Sequence, residues 1–266
     1  MNSFTDIAHL GDAALLVGLS TTRIAVAFAL MPVFSQDTVP AMVRNAIFMS
    51  MGVLVLALQP AVSPSHWTAL HWIGLFGKEA CLGLGLAFGI ASFLWAFTAA
   101  GQLVDTKVGT ANAQITDPLS GQQVSPSGAL LGRLAGFLFM VGGGFSLFVG
   151  SLLESFRAWP LGHLALQPKL AGVLIFERHL GDLMSLTFLL AAPVLVAMFA
   201  MDLVLGLVNR YAQQINLSAI SASLKGLAST AVWLLTLATL VQGFGNALAG
   251  KIAAVMPVMG RLLGAG

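Results

Sequence analysis

The chain has 266 residues, of which 58% are hydrophobic and only 8% are charged, and its mean hydropathy is +0.91. Soluble domains carry about 25% charged residues, so this composition excludes a soluble enzyme with a hydrated surface. The formal net charge of +2, from 12 Lys and Arg against 10 Asp and Glu, also excludes the strongly basic surface of a nucleic-acid-binding protein. The excess apolar surface must therefore face lipid or other protein chains.

Six apolar segments follow one another along the chain, at residues 13–34, 46–62, 80–100, 134–153, 183–208 and 227–249. Most of them reach the roughly 20 residues that a helix needs to cross the hydrocarbon core. Because lipid leaves no other partner for backbone amides, each segment is predicted to be a helix. The stretch before Asp12 has no Lys or Arg, so we expect no cleavable signal peptide.

Helix-breaking residues interrupt several of these segments. Pro32 ends the first, Pro60 and Pro64 end the second, Pro193 lies inside the fifth, and the run 142–144 places three glycines in the fourth. Kinked membrane helices need neighbouring helices to satisfy the backbone groups that a break sets free. Two glycine pairs with the spacing of close helix contacts, 85/89 and 132/136, agree with tight packing.

Three polar connections separate the apolar segments, at residues 101–128, 155–182 and 209–226. Connections of this length inside a compact protein are often functional. The last of them is equally consistent with an ordinary polar turn between two membrane helices and with a contact to another subunit.

Five charged residues lie within or beside the apolar segments: Arg23, Lys78, Glu79, Arg133 and Asp202. A charge at the bilayer centre costs about 2.5–3.5 kcal/mol on insertion scales. For Lys78, Glu79 and Arg133 the favoured interpretation is snorkelling near a helix end, with a polar passage or an inter-helix pair as the alternative. Arg23 and Asp202 lie deeper, and we expect both to be buried against protein or to line a watery path.

The sequence contains none of the motifs that would indicate an enzyme or a cofactor site. HExxH, GxGxxG, a P-loop and a nucleophile elbow are all missing, and His66 and His71 have no nearby carboxylate or cysteine in the sequence. Cys81 is the single cysteine. We therefore predict no catalytic residues, cofactor or metal, and a protein that forms part of a passage through a membrane. The alternatives are a small-solute transporter and, less favoured, an intramembrane enzyme.

Several short motifs resemble one membrane protein family in their order and spacing along nearly the whole chain. They are Arg23, Pro32, Phe34, Pro40 and Arg44 near the start; Lys78-Glu79; Ala100-Gly101 with Asp105 and Gly109; the run 117–121, DPLSG; Gly142-Gly143 with Ser155 and Pro160; Pro193; and the run 205–216, LGLVNRYAQQIN, followed by Lys225. The chain resembles the T subunit of the type III secretion export apparatus, whose flagellar relative is the R subunit of the flagellar export gate. Gln213, where many flagellar members have proline, makes the injectisome branch the more similar one.

The resemblance implies an all-α, polytopic fold with about six long, kinked helices paired as hairpins, which assemble helically with sister subunits. It implies one export-gate domain over residues 1–266, with approximate halves 1–182 and 183–266. The expected partners are the R and S subunits, the U-type switch protein, exported polypeptides in transit and membrane lipid, without nucleic acid. The expected location is the bacterial inner membrane, and the expected role is a non-catalytic part of a conduit for unfolded polypeptides.

The resemblance also implies two groups of site residues. A plug-like loop would span residues 105–126 and include Asp105, Gly109, Asp117, Pro118 and Gly121. Buried polar residues or subunit contacts would be Arg23, Arg44, Lys78, Glu79, Asp202, Asn209, Arg210, Gln214, Asn216 and Lys225.

Overall fold

The computed structural model describes residues 3–34, 39–59, 67–109, 115–116, 123–162, 164, 170–211 and 217–262. Nearly all of these residues are helical, so the predicted all-α fold is confirmed. The α-helices are α1 (Ser3–Leu30), α2 (Ala41–Leu58), α3 (Ala69–Val108), α4 (Pro126–Val141), α5 (Gly144–Ala158), α6 (Leu170–Tyr211) and α7 (Leu217–Leu262), with a short 3-10 turn at Pro32–Phe34. Two antiparallel two-residue strands, β1 (Ile115–Thr116) and β2 (Gln123–Val124), lie between α3 and α4.

Within the described residues, five helical stretches are long and apolar enough to cross a membrane: Gly11–Leu30, Ala41–Leu58, Ala69–Val108, Phe176–Tyr211 and Ser221–Gly250. The number rises to six if α4 and α5 together form one broken span. The protein is therefore a multi-pass membrane protein. Three helices are much longer than a bilayer requires, with 40 residues in α3, 42 in α6 and 46 in α7.

Two predicted boundaries are wrong. The fourth apolar segment, 134–153, is not one helix, because α4 ends at Val141 and α5 begins at Gly144. Gly143 has a φ of 80°, a left-handed conformation that glycine adopts without a Cβ clash, and this residue breaks the run. The predicted polar connection 209–226 is mostly helical, because α6 continues to Tyr211 and α7 already begins at Leu217.

The start of α4 follows a standard pattern. Ser125 is the N-cap, its Oγ accepts a hydrogen bond from the amide of Gly128, and Pro126 occupies the first turn, where no amide donor is needed. In α6, the helix continues through Pro193 without a break. The predicted interruption of the fifth segment at this proline is therefore not a helix end.

The chain divides into two compact units. The first comprises Met1–Ala91, Gly143–His179 and Ile252–Gly266. Its core is aromatic: Phe28 packs against Phe34, Phe48 and Phe148 with ring centroids 4.9, 5.3 and 5.0 Å away. These contacts hold α1, α2 and α5 together.

The second unit comprises Ser92–Gly142 and Leu180–Lys251. In its core, Phe244 of α7 lies between Phe93 and Phe97 of α3, with ring centroids 4.9 and 5.3 Å away. Thr187 of α6 is buried against the same helix, near the carbonyl of Ala96. Large apolar side chains on the other faces of α6 and α7 stay exposed, for example Leu189, Val196 and Leu235.

Candidate functional site

A buried charge cluster, formed by Arg23, Lys78 and Glu79, lies in the first unit. Arg23 of α1 and Glu79 of α3 both have fully buried side chains, and Arg23 Nε donates to Glu79 Oε2 over 2.6 Å. The remaining guanidinium nitrogens reach α5, where Nη1 donates to Ser155 Oγ at 2.9 Å and Nη2 donates to the carbonyl of Trp159 at 2.8 Å. One arginine thus joins three helices that are far apart in the sequence.

Lys78 is the second cation of the charge cluster. Its Nζ lies 2.7 Å from Glu79 Oε1 and donates to the carbonyl of Pro160 at 2.9 Å. Two cations thus share one carboxylate. Both cations also donate to carbonyls at the C-terminal end of α5, where the helix carries partial negative charge. The end of α5 is therefore part of the cluster.

Two further contacts involve Phe156 in the last turn of α5. Gln59, just after α2, donates from Nε2 to the carbonyl of Phe156 at 3.0 Å. The Arg23 guanidinium lies over the Phe156 ring, 3.9 Å from its centroid. A cation over an aromatic face is attracted by the ring quadrupole, so this contact adds to the ion pair.

The snorkelling interpretation is wrong for Lys78 and Glu79. Both lie well inside α3, and their side chains are 3% and 0% exposed. They do not reach toward a helix end because Arg23 and the carbonyls after α5 bind them inside the protein. Arg133 of α4, in contrast, is exposed.

Gly83 permits the close approach of α3 to α1 beside this cluster. A Cβ at Gly83 would lie 2.6 Å from the carbonyl oxygen of Arg23, whereas a Cβ at Gly85 would meet nothing within 4 Å. The spacing pattern in the sequence pointed to Gly85 and Gly89, so it missed the glycine that packs against backbone.

Gly83 and Gly85 give a matched pair of substitutions in one helix. Gly83→Ala is expected to destabilise the protein by about 1–3 kcal/mol, because the two helices must separate. Gly85→Ala is expected to stabilise it by about 0.5–1 kcal/mol through helix propensity. Thermal unfolding of the purified protein in detergent measures the stability of both variants. Equal unfolding temperatures in the two variants would show that Gly83 does not pack against the Arg23 backbone.

A second polar cluster, which we call the clamp, consists of Asp105, Ser125 and Ser127 in the second unit. Asp105 lies in the last turn of α3 and is 7% exposed. Its Oδ2 accepts from Ser125 Oγ at 2.5 Å and from the Ser127 amide at 2.8 Å, and its Oδ1 accepts from Ser127 Oγ at 2.6 Å. The clamp thus ties the end of α3 to the start of α4.

The segment between these two helices begins and ends at defined points. α3 ends at Val108, and Gly109 follows with a φ of 86°, which is a common helix stop. The described part of the segment is the pair β1–β2, in which Ile115 faces Val124 and Thr116 faces Gln123. Asp117, Pro118 and Gly121 of the predicted plug lie outside the described residues.

The other predicted site residues occupy separate places. Lys225 of α7 forms an ion pair with Asp202 of α6 in the second unit. Asn209 and Arg210 are exposed in the last turns of α6. Arg44 is half-buried, and its Nη1 makes a long contact of 3.5 Å with the Phe34 carbonyl. Gln214 and Asn216 lie outside the described residues.

Sequence reasoning missed several partners in both clusters, namely Gln59, Ser125, Ser127 and the carbonyls after α5. The Ser125-Pro126 pair is a readable helix-start signal, and it could have indicated that α4 begins there. Backbone carbonyls carry no signal in the sequence. Among the described residues, no group of three His, Cys, Asp or Glu side chains is placed to hold a metal ion.

The architecture defines the class: a helical multi-pass membrane protein with a buried charge cluster and a polar segment clamped at its base. Residues 14–250 match the family described as bacterial export proteins, family 1, and the chain belongs to this family. The predicted resemblance is thereby confirmed, and the matched region contains both clusters.

Individual relatives agree with the family. The chain is 30% identical over 207 residues to the Yop proteins translocation protein T of Yersinia pestis, covering 76% of this chain and 78% of the relative. It is 29% identical over 210 residues to the secretion system apparatus protein SsaT of Salmonella typhimurium, covering 78% of each. It is 23% identical over 201 residues to the flagellar biosynthetic protein FliR of Escherichia coli, covering 74% of this chain and 75% of the relative.

Proposed function

We propose that this protein is a non-catalytic core subunit of a type III protein secretion export gate in the bacterial inner membrane. It forms part of a conduit for unfolded polypeptides, and the segment from Asp105 to Pro126 acts as a plug. The observation that carries the proposal is the family match over residues 14–250, together with relatives that are named for translocation and for a secretion apparatus.

The geometry supports a plug at this position. The described part of the segment between α3 and α4 is the strand pair β1–β2, whereas the other described residues are almost entirely helical. The clamp holds the last turn of α3 to the first turn of α4 and so fixes where the segment begins and ends. A plug that stays attached to its helices needs such a fixed base.

The exposed apolar faces support assembly with sister chains. In the stretches Phe176–Tyr211 and Ser221–Gly250, only 22% and 17% of the most apolar window is buried within this chain. These faces need lipid or other apolar helices as neighbours. We assign part of this surface to the R and S subunits and to the U-type switch protein, and we assign the polar Asn209, Arg210, Gln214 and Asn216 to subunit contacts as well.

A small-solute transporter is the weaker alternative. That function would use Arg23 and Asp202 as free charges at a substrate site near the middle of the membrane. In the structure each of these charges is already paired within its own unit, Arg23 with Glu79 and Asp202 with Lys225. The Arg23 charge is therefore bound inside the protein, whereas the Asp202–Lys225 pair, with Asp202 41% exposed, argues less strongly against a solute site.

The test of the plug is its removal. Replacing residues 109–122 by a short Gly/Ser linker in the assembled gate is expected to increase leakage of ions and small solutes, because the conduit loses its closure. Leakage is measured as uptake of a small dye or as conductance in cells or vesicles that contain the complete gate. Unchanged leakage with normal amounts of complex would overturn the plug role.

A further inference from the structure

We propose that the outer face of α4, formed by Leu130, Arg133, Phe137 and Val141, binds an apolar helix of a sister subunit that carries an Asp or Glu side chain opposite Arg133. This inference rests on the assembly of the gate proposed above. It concerns α4, whereas the apolar surfaces assigned above to sister subunits lie on α6 and α7. It also states the chemistry of the partner helix.

The outer face of α4 is a single stripe along the helix. Its residues are three or four positions apart, so they lie above one another on successive turns. Leu130 and Phe137 are each 64% exposed and Val141 is 71% exposed, and Arg133 between them is exposed as well. The opposite stripe is buried within this chain and includes Leu131, Ala135 and Phe139. The helix therefore packs on its own chain with one side only.

Arg133 differs from the other charges within or beside the apolar segments. Within the described part of the chain, no acidic side chain forms an ion pair with Arg133. The other four charges of this kind are all paired inside the chain, namely Arg23, Lys78, Glu79 and Asp202. A partner for Arg133 therefore has to come from another molecule.

The composition of the stripe selects the kind of partner. Large apolar side chains on the turns before and after Arg133 disfavour water as the neighbour, because exposed apolar surface is costly there. The arginine disfavours hydrocarbon, since it lies seven residues after Pro126 and eight before Val141, about two turns from either end of α4. An apolar helix with one carboxylate satisfies both parts of the stripe.

The length of α4 also favours protein over lipid as its neighbour. Its 16 residues extend about 24 Å, which is less than the roughly 30 Å of the hydrocarbon core. Gly143, with a φ of 80°, breaks the continuation of the helix. Irregular backbone at the depth of a membrane is tolerated where protein or a water-filled cavity surrounds it. Because the stripe disfavours water, a protein helix is the neighbour that fits.

A carboxylate is the matching group for a guanidinium. The two planar groups form two parallel hydrogen bonds, which fix the register of the partner helix as well as adding affinity. The apolar residues on either side would exclude water from the pair once the partner is bound. Loss of one member of such a pair then leaves the other charge buried without a partner, which weakens association strongly.

The first experiment identifies the neighbour of the stripe. Phe137 is replaced by p-benzoylphenylalanine, a photo-crosslinking aromatic residue, and the complete gate is purified in mild detergent and irradiated. We expect a crosslink to an apolar helix of a sister subunit, with an Asp or Glu within about one turn of the crosslinked residue. Crosslinks to lipid alone, or to a helix without an acidic residue, would overturn the inference.

The second experiment tests the charge. Arg133→Gln is expected to lower the yield of intact complex about tenfold, Arg133→Glu to lower it further, and Arg133→Lys to lower it less because the charge remains. Arg157→Gln is the control, since Arg157 is also an exposed arginine but has its partner, Glu154, inside this chain. The thermal unfolding of the isolated chain is expected to be unchanged in all Arg133 variants, which separates an assembly defect from a folding defect. Equal yields for Arg133→Glu and the unchanged protein would overturn the inference.

A double-mutant cycle then tests the pair itself. Neutralising the acidic residue found by crosslinking, together with Arg133→Gln, is expected to cost no more complex than either single substitution, because both remove the same contact. Additive losses would overturn the pairing. If the unchanged chain forms the complex while the Arg133 variants assemble normally, the proposed gate role stands and the role of α4 is wrong. If the unchanged chain forms no complex, the proposed function itself fails.

Discussion

Replacing Glu79 with Gln is expected to lower the stability of the protein by about 3–5 kcal/mol, because the substitution removes a carboxylate that pairs with two buried cations. Arg23 and Lys78 are 0% and 3% exposed and cannot turn toward water. Because folded proteins are stable by only about 5–15 kcal/mol, we expect little or no assembled gate. The measurement is the yield of intact complex from membranes, followed by its thermal unfolding.

Arg157→Gln is the matched control for this prediction. Arg157 pairs with Glu154 one turn away in α5, but its side chain is 60% exposed. Removal of such a pair is expected to cost less than about 1 kcal/mol and to leave assembly intact. If Glu79→Gln gave a complex as stable as Arg157→Gln, the charge cluster would not hold the first unit together.

Exchanging the two charges is not expected to rescue the protein. In the double variant Arg23→Glu and Glu79→Arg, the ion pair could form again, but a carboxylate at position 23 cannot donate to the Trp159 carbonyl. It would also stand near the negative end of α5. Full recovery in the double variant would therefore show that only the pair matters and that the end of α5 is not part of the cluster.

The second large effect is expected at Gly101, where Gly101→Ala should destabilise the protein by about 3 kcal/mol or more. The added methyl group would lie 2.4–2.5 Å from backbone atoms of Ser127 and Gly128, and backbone cannot move aside as a flexible side chain does. The start of α4 must then shift away from α3.

Gly77→Ala is the control for this substitution. Gly77 lies in the same helix, and a Cβ there would meet nothing within 4 Å. It is expected to be neutral or to stabilise the protein by about 0.5–1 kcal/mol. Thermal unfolding of both variants, measured side by side, tests the contact between α3 and α4. Equal unfolding temperatures of Gly101→Ala and Gly77→Ala would contradict this close contact between the two helices.

The sequence predicted the helices well and their ends poorly. An apolar run shows where lipid or protein covers a helix, so the spans were found from hydrophobicity alone. Helix α7 begins at Leu217, ten residues before the apolar segment at 227, because polar residues also form helix and a search for apolar runs misses these first turns. The break at Gly143 depends on a left-handed backbone, and its glycines were already visible as a signal.

The two clusters differ in how far they could be predicted. The charges of Arg23, Lys78 and Glu79 stood out against their apolar surroundings, but their partners did not, because Ser155 is 132 residues away from Arg23 and the acceptors after α5 are backbone carbonyls. Asp105 was identified only through the family resemblance. Its contact with Ser125 follows from the folding of two helices against each other, which no local pattern encodes.

The proposed gate role requires that this chain completes its structure with sister subunits around a shared passage. Purification in mild detergent from cells that contain the whole apparatus, followed by a mass measurement of the intact particle, tests this claim most directly. We expect a stable complex with other small polytopic membrane proteins. Recovery of a self-sufficient monomer that takes up a small solute on its own would contradict it.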